Sequence, residues 1–168
     1  MEIVSKGAKV RYIAKKDLIR ILGQYWSSLE RHLLREAESR HRLRLQARKM
    51  EDLARAVSRR YGLIVDLNIM HTAGFSLYDF EPGVMVLKNF YIHPGCRGQG
   101  LGSLLLKRTA QEAQRNNASR ILCKLFEESC RESGLVEWFT KRGFQFIKGR
   151  EYECDKMICD DLGKILYS

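Results

Sequence analysis

Ile92-His93-Pro94-Gly95-Cys96-Arg97-Gly98-Gln99-Gly100-Leu101-Gly102-Ser103 joins an apolar run to an amphipathic one through closely spaced glycines and one arginine. Upstream, Val84 to Ile92 is rich in β-branched and aromatic residues, which predicts a strand. Downstream, Leu101, Leu104, Leu105, Arg108 and Glu112 recur at helical spacing. The glycines therefore fall where a helix begins. There the first N–H groups have no intrahelical acceptor and the helix dipole is positive, so a diphosphate is stabilised. The missing Cβ atoms let its oxygens approach the main chain. The stretch predicts a cradle for a phosphorylated cofactor.

Two common phosphate loops do not match. A Walker loop needs Gly-Lys-Ser/Thr so that the lysine reaches the outer phosphates, and here Gly102 is followed by Ser103 and Leu104. A dinucleotide fingerprint needs Gly-x-Gly-x-x-Gly and an acid about twenty residues further on for the ribose; the glycines here are Gly98, Gly100 and Gly102, and Arg120 and Ile121 occupy the later region. What remains is Arg97-x-x-Gly100-x-Gly102 after a strand ending His93-Pro94. This resembles the GNAT superfamily of N-acetyltransferases, whose coenzyme A loop reads Arg/Gln-x-x-Gly-x-Gly/Ala. Trp138-Phe139-Thr140-Lys141-Arg142-Gly143-Phe144 resembles the family's other signature, an aromatic four residues before Gly-Phe. The resemblance implies acetyl-CoA as the cofactor and acyl donor. It places Arg97, Gly98, Gln99, Gly100, Leu101, Gly102 and Ser103 around the diphosphate, with the backbone of Phe90, Tyr91 and Ile92 along the pantetheine.

The order of elements supports the motif. Lys9 to Ile13 reads as a strand, and Asp17 to Glu38 and Gln46 to Tyr61 as helices. Leu63 to Met70, Phe75 to Phe80 and Val84 to Ile92 read as strands, separated by turn signals at His71 to Gly74 and Glu81-Pro82-Gly83. A helix follows from Gly100 to Asn116, then a strand from Arg120 to Phe126 and a helix from Glu132 to Arg142. Two closing strands run from Phe144 to Lys148 and from Lys156 to Cys159. The expected fold class is α/β (α+β), the GNAT fold, with a mixed sheet of six to seven strands flanked by about four helices. The likeness is strongest from Gly62 to Phe146.

Composition predicts one domain over residues 1–168: the 168-residue, 45% hydrophobic chain suffices for one core, and its two prolines, Pro82 and Pro94, mark no linker. The sequence lacks a signal-like apolar N-terminus and any run of bilayer length, which predicts a cytoplasmic protein with no membrane partner. The cysteines, Cys96, Cys123, Cys130, Cys154 and Cys159, are odd in number with no Cys-x-x-Cys pair, so reduced structural thiols are expected. No metal is expected, because His32, His41, His71 and His93 lack ligand spacing.

The net charge of +10 is unevenly placed. Residues 1–62 hold 16 Lys/Arg against 7 Asp/Glu, whereas residues 63–168 hold 14 against 13. In the resembling family the first helices wall the acceptor side. A basic patch there at Arg40, Arg42, Arg44, Arg48 and Lys49 would steer an acidic acceptor, nucleic acid included; a solvated helix face explains the same charge equally well.

The implied reaction is direct attack of an amine on a thioester within a ternary complex. The acceptor classes are a small-molecule or protein amine and, second, a nucleic acid such as DNA or aminoacyl-tRNA; a non-catalytic coenzyme A module is the third reading. A homodimer through the last strands is compatible with the resemblance. One departure matters: the family's usual tyrosine acid aligns with Phe139, which has no proton to give. Lys88 and Asn89 stand where an acidic base is usual. Tyr91, Tyr152 and Ser133 are the candidate catalytic residues, with Cys130 a further donor and His93, Glu127, Glu128 and Asp79 alternative bases.

Overall fold

The apolar run before the glycine stretch becomes a strand of a seven-stranded mixed sheet, and the amphipathic run after it becomes a helix. The protein is seen in a computed structural model that describes residues 7–18, 20–21, 51–68, 71–124, 134–149 and 155–167. The strands are β1 (Lys9–Tyr12), β2 (Gly62–Asn68), β3 (His71–Glu81), β4 (Val84–Ile92), β5 (Arg120–Lys124), β6 (Gln145–Ile147) and β7 (Lys156–Cys159). Their order is β1-β2-β3-β4-β5-β7-β6. Helices among the described residues include α1 (51–59), α2 (Leu101–Arg115), α3 (Leu135–Thr140) and α4 (Gly163–Leu166), and Leu18, Arg20 and Ile21 are helical as well. The fold class is the expected one.

β4 and β5 are parallel, with Val84 opposite Arg120 and Leu87 opposite Cys123. A parallel pair cannot be joined by a tight turn, so the chain must cross over, and the crossover is the glycine stretch followed by α2. α2 repeats a buried position about every fourth residue, through Leu101, Leu105, Thr109 and Ala113. The topology thus fixes the glycines at the end of β4 and the start of a long helix.

Contacts between α-carbons group the chain into two compact units, one within Met1–Leu77 and Phe90–Gly102, the other within Tyr78–Asn89 and Ser103–Ser168. In the first, Leu53 and Ala56 of α1 join Ile13, Ile21, Ile64, Phe75 and Leu77 in a buried cluster, with Leu18, Val57 and Tyr91 packed against it. Each fully buried Leu or Phe contributes about 1.5–3 kcal/mol. A polar network stands beside this cluster. Arg11 grips the buried Asp17 with Nη1 at 2.7 Å from Oδ2 and Nη2 at 2.8 Å from Oδ1. Its Nε donates to Asp66 Oδ2 at 2.7 Å, and Thr72 Oγ1 donates to Asp66 Oδ1 at 3.1 Å. The fork from Arg11 holds the Asp17 carboxyl below the usual carboxylate range against the opposing effect of burial. In the second unit the buried side chains include Met85, Leu105, Leu106, Ile121, Phe139, Phe144 and Met157.

The expected turn at His71 to Gly74 is strand instead. β3 already begins at His71, and the β2–β3 register shifts between Val65 and Asp66 and again between Asp66 and Asn68. Gly74 serves a close approach rather than a turn: a Cβ there would collide with the Tyr91 carbonyl oxygen and with Ile92 Cδ1. α4 was not anticipated. Asp161 Oδ1 accepts the Gly163 N–H at 2.9 Å, and Ile165 and Leu166 are buried. Most of the expected helix Asp17 to Glu38 and residues 46–50 of the next lie outside the described residues, as does the end of the expected strand Arg120 to Phe126.

Candidate functional site

The end of β4 is tied down before the glycines begin. His93 N–H donates to Ala73 O at 2.8 Å, and a short 3-10 turn, Pro94–Cys96, follows. His93 Nδ1 accepts the Gly95 N–H at 3.2 Å. That contact engages the Nδ1 lone pair in capping the turn. His93, expected as an alternative base, thus caps the turn that follows β4.

Arg97 folds back so that its Nε donates to Ile92 O at 3.1 Å, which braces the loop against the strand. Gln99 Nε2 reaches Gly95 O at 3.5 Å. Gly98 and Gly100 both adopt left-handed backbone, with φ of 76° and 73°. Residues with side chains strongly disfavour that conformation. Alternating backbone hands of this kind turn successive N–H groups toward a common concavity that suits an anion. A Cβ built on Gly98 would meet nothing within 4 Å, so the space beside it is open. α2 starts immediately afterwards and carries no acidic residue in its first turn, so no side chain of that turn offsets its positive end. Backbone conformation, open space and helix start thus all fit a diphosphate.

Arg142, just past the end of α3 and 39 residues beyond Ser103, returns to this helix start. Arg142 donates to Ser103 Oγ from Nη2 at 2.7 Å and from Nε at 3.2 Å. Its guanidinium carbon sits 3.8 Å from the Trp138 ring centroid. Phe139 is 1% exposed, with its ring edge-on to Trp138 at 5.1 Å and to Phe144 at 4.9 Å. The residue aligned with the usual tyrosine acid is thus a packed core ring. Sequence reasoning missed Arg142, because no local pattern reports a contact over that separation.

Of the expected catalytic residues, Tyr91 is half-buried with its ring 5.6 Å from that of Phe75. Ser133 and Tyr152 lie outside the described residues, as do Cys130, Glu127 and Glu128, and so do Arg40, Arg42, Arg44, Arg48 and Lys49. Phe90 and Ile92 are half-buried on β4, past the last register pair with β5 at Leu87 and Cys123. Asp79 Oδ1 accepts the Phe80 N–H at 3.0 Å. Cys123 and Cys159 are buried thiols outside any disulfide, and burial pushes the Cys159 thiol up. Among the described residues no cluster of His, Cys, Asp and Glu could hold a metal, and no helix is long and apolar enough to cross a membrane.

Comparison with known proteins agrees with this geometry. The acetyltransferase (GNAT) family model matches residues 23–144. An IAA acetyltransferase of Azospirillum brasilense is 31% identical over 123 residues, covering 72% of this chain and 74% of that protein. Among solved structures, the PaiA N-acetyltransferase of Thermoplasma acidophilum, crystallised with coenzyme A, has a TM-score of 0.72 at 14% identity. It covers 90% of this chain and 98% of its own. A GNAT-family acetyltransferase of Staphylococcus aureus matches with a TM-score of 0.72 at 11% identity and the same coverage of both chains. The family match over most of the chain, with the fold and the glycine loop, leads to one conclusion: this chain belongs to the GNAT family of acetyltransferases.

Proposed function

We propose that the protein transfers the acetyl group of acetyl-CoA to an amine acceptor by direct attack within a ternary complex. The observation that carries this reading is the pair of left-handed glycines, Gly98 and Gly100, opening onto the acid-free first turn of α2. When bound, acetyl-CoA supplies the activated thioester carbonyl. Backbone amides from Gly98 to Ser103, Leu101 and Gly102 included, take the diphosphate oxygens. Arg97, with its Nε committed to Ile92 O, presents its terminal nitrogens as further donors. Main-chain groups of Phe90, Tyr91 and Ile92 are aligned for the pantetheine and for the carbonyl oxygen as it gains charge.

Phe139 cannot protonate the departing thiolate. Tyr91 is the proposed donor among the described residues, and Ser133 and Tyr152 stand as the alternatives. Purified protein should release free thiol from acetyl-CoA only when a suitable amine is present. Tyr91→Phe should lower kcat with little change in the KM for acetyl-CoA. Tight coenzyme A binding with no thiol release across a broad amine panel would favour a binding module instead.

A second reading concerns the acceptor. The excess of positive charge in residues 1–62 favours an acidic or nucleic-acid-borne amine. Arg55, Arg59 and Arg60 are exposed, on or just beyond α1, whose Leu53 and Ala56 are buried. Reversing Arg40, Arg42, Arg44 and Arg48 to Glu should then raise acceptor KM far more than acetyl-CoA KM. An equal change in both would leave the arginines as solvation.

A further inference from the structure

One level of the sheet carries three lysines side by side. Lys124 of β5 stands opposite Lys156 of β7. Lys88 of β4 is the first residue past the β4–β5 pair Leu87 and Cys123, at the level of Lys124. Side chains alternate along a strand, and residues level with each other on neighbouring strands share a face. Leu87 and Cys123 are buried on one face, so Lys88 and Lys124 emerge together on the other. Neighbouring strands lie about 5 Å apart, and the flexible lysine stems let two ammonium groups converge on one oxyanion.

Such a row destabilises the protein on its own. β4 is the central strand of the sheet, and Lys88 is half-buried there. Neither Lys88 nor Lys124 forms an ion pair with a carboxylate among the described residues. Lys156 has interactions of its own and is not required. Like charges at one level of a sheet repel, and a half-buried cation with no counter-charge loses hydration uncompensated. An anion held between Lys88 and Lys124 reverses both effects. The competing account is a solvated surface. It suits Lys124, which is exposed, but leaves the half-buried Lys88 unexplained.

We propose that Lys88 and Lys124 hold the anionic group of the acceptor, a carboxylate or a phosphate, so that the substrate class is a small amine carrying an anion. The inference rests on the acetyl-transfer reading above, which runs the thioester along the main chain of Phe90, two residues beyond Lys88 on β4.

The test uses matched amines on the full chain: L-amino acids against their carboxamides, and O-phosphoethanolamine against ethanolamine. Thiol release from acetyl-CoA is measured alongside backbone amide shifts of the coenzyme A-saturated, ¹⁵N-labelled protein. kcat/KM should favour the anionic member of at least one pair by about tenfold or more, the effect of one hydrogen bond between charged groups, and the pair that shows it distinguishes carboxylate from phosphate. Lys88→Met should erase the preference by raising the KM of the anionic amine alone, while Lys88→Arg keeps most of it. Lys88→Met should also melt no lower than wild type, since it removes an uncompensated charge; a melting temperature several degrees lower would make Lys88 structural and overturn the proposal. Turnover with no preference for the anionic amine, or a preference that survives Lys88→Met, would overturn it while leaving acetyl transfer in place. If no amine is acetylated, the transfer reading fails; saturable shifts at Lys88 and Lys124 with the anionic amines alone would still uphold the anion site, and their absence would overturn it as well. Coenzyme A affinity that falls in Lys88→Met as much as the acceptor preference does would assign the lysines to a cofactor phosphate and refute the acceptor role.

Discussion

Placing a negative charge at Gly98 tests the cradle with little confusion from folding. Gly98 is exposed with φ 76°, and a Cβ there meets nothing within 4 Å. Asn and Asp are the side chains that best tolerate this backbone, and they are nearly isosteric. Gly98→Asn and Gly98→Asp therefore share any conformational cost and differ in one charge. At about 6 Å, that charge and a single phosphate charge repel by about 0.7 kcal/mol at the dielectric of water, and by about 2.8 kcal/mol at an effective value of about 20. A diphosphate with two charges doubles either figure, so even the lower bound reaches about 1.4 kcal/mol. The Asp variant should bind coenzyme A at least about tenfold more weakly than the Asn variant in titration calorimetry at low salt. The gap should shrink as ionic strength rises to about 0.15 M, where the screening length falls to about 8 Å. Equal affinities for the two variants would mean that no diphosphate sits beside Gly98.

Three further outcomes concern stability. Arg11→Met leaves the buried Asp17 carboxylate without its fork and should cost about 3 kcal/mol, the low end for a buried pair because Arg11 itself is 35% exposed. In the wild type, Asp17 has its pKa depressed below the ordinary 3.8. Its contribution should thus be complete above that value and lost as the pH falls through the lower folded value. Acid melts in which wild type and Arg11→Met lose stability in parallel would contradict the ion pair's role. Phe139→Ala should cost about 3–5 kcal/mol by denaturant unfolding, and a loss under 1 kcal/mol would mean that the ring is not in the core. Arg60 holds φ 58° just past α1, so Arg60→Gly should raise the melting temperature by about 2–4 °C; a fall would show that its side chain contributes more than the backbone strain costs.

The elements around the site were legible because local patterns determined them. The strand before the glycines, Val84–Ile92, matches its expected span, and α2 differs from expectation by one residue at each end. The final strand, Lys156–Cys159, also matches. What escaped the sequence was set by partners distant in the chain. Gly74 reads as turn chemistry in isolation, yet it lies inside a strand, where a Cβ would collide with the Tyr91 carbonyl. Arg142 reads as a surface cation beside a signature glycine, and only the return of α3 to the start of α2 gives it Ser103 as a partner. His93 reads as an alternative base, and only the folded turn shows its Nδ1 accepting the Gly95 N–H. The short α4 lacks the periodicity needed to announce a helix.

The most direct test follows backbone amides of the ¹⁵N-labelled protein during a coenzyme A titration. The amides of Gly98, Gly100, Gly102 and Ser103 should shift most, saturably, and move less when pantetheine, which lacks the diphosphate, replaces the full cofactor. Saturable binding that leaves those four amides unmoved would rule out the cradle.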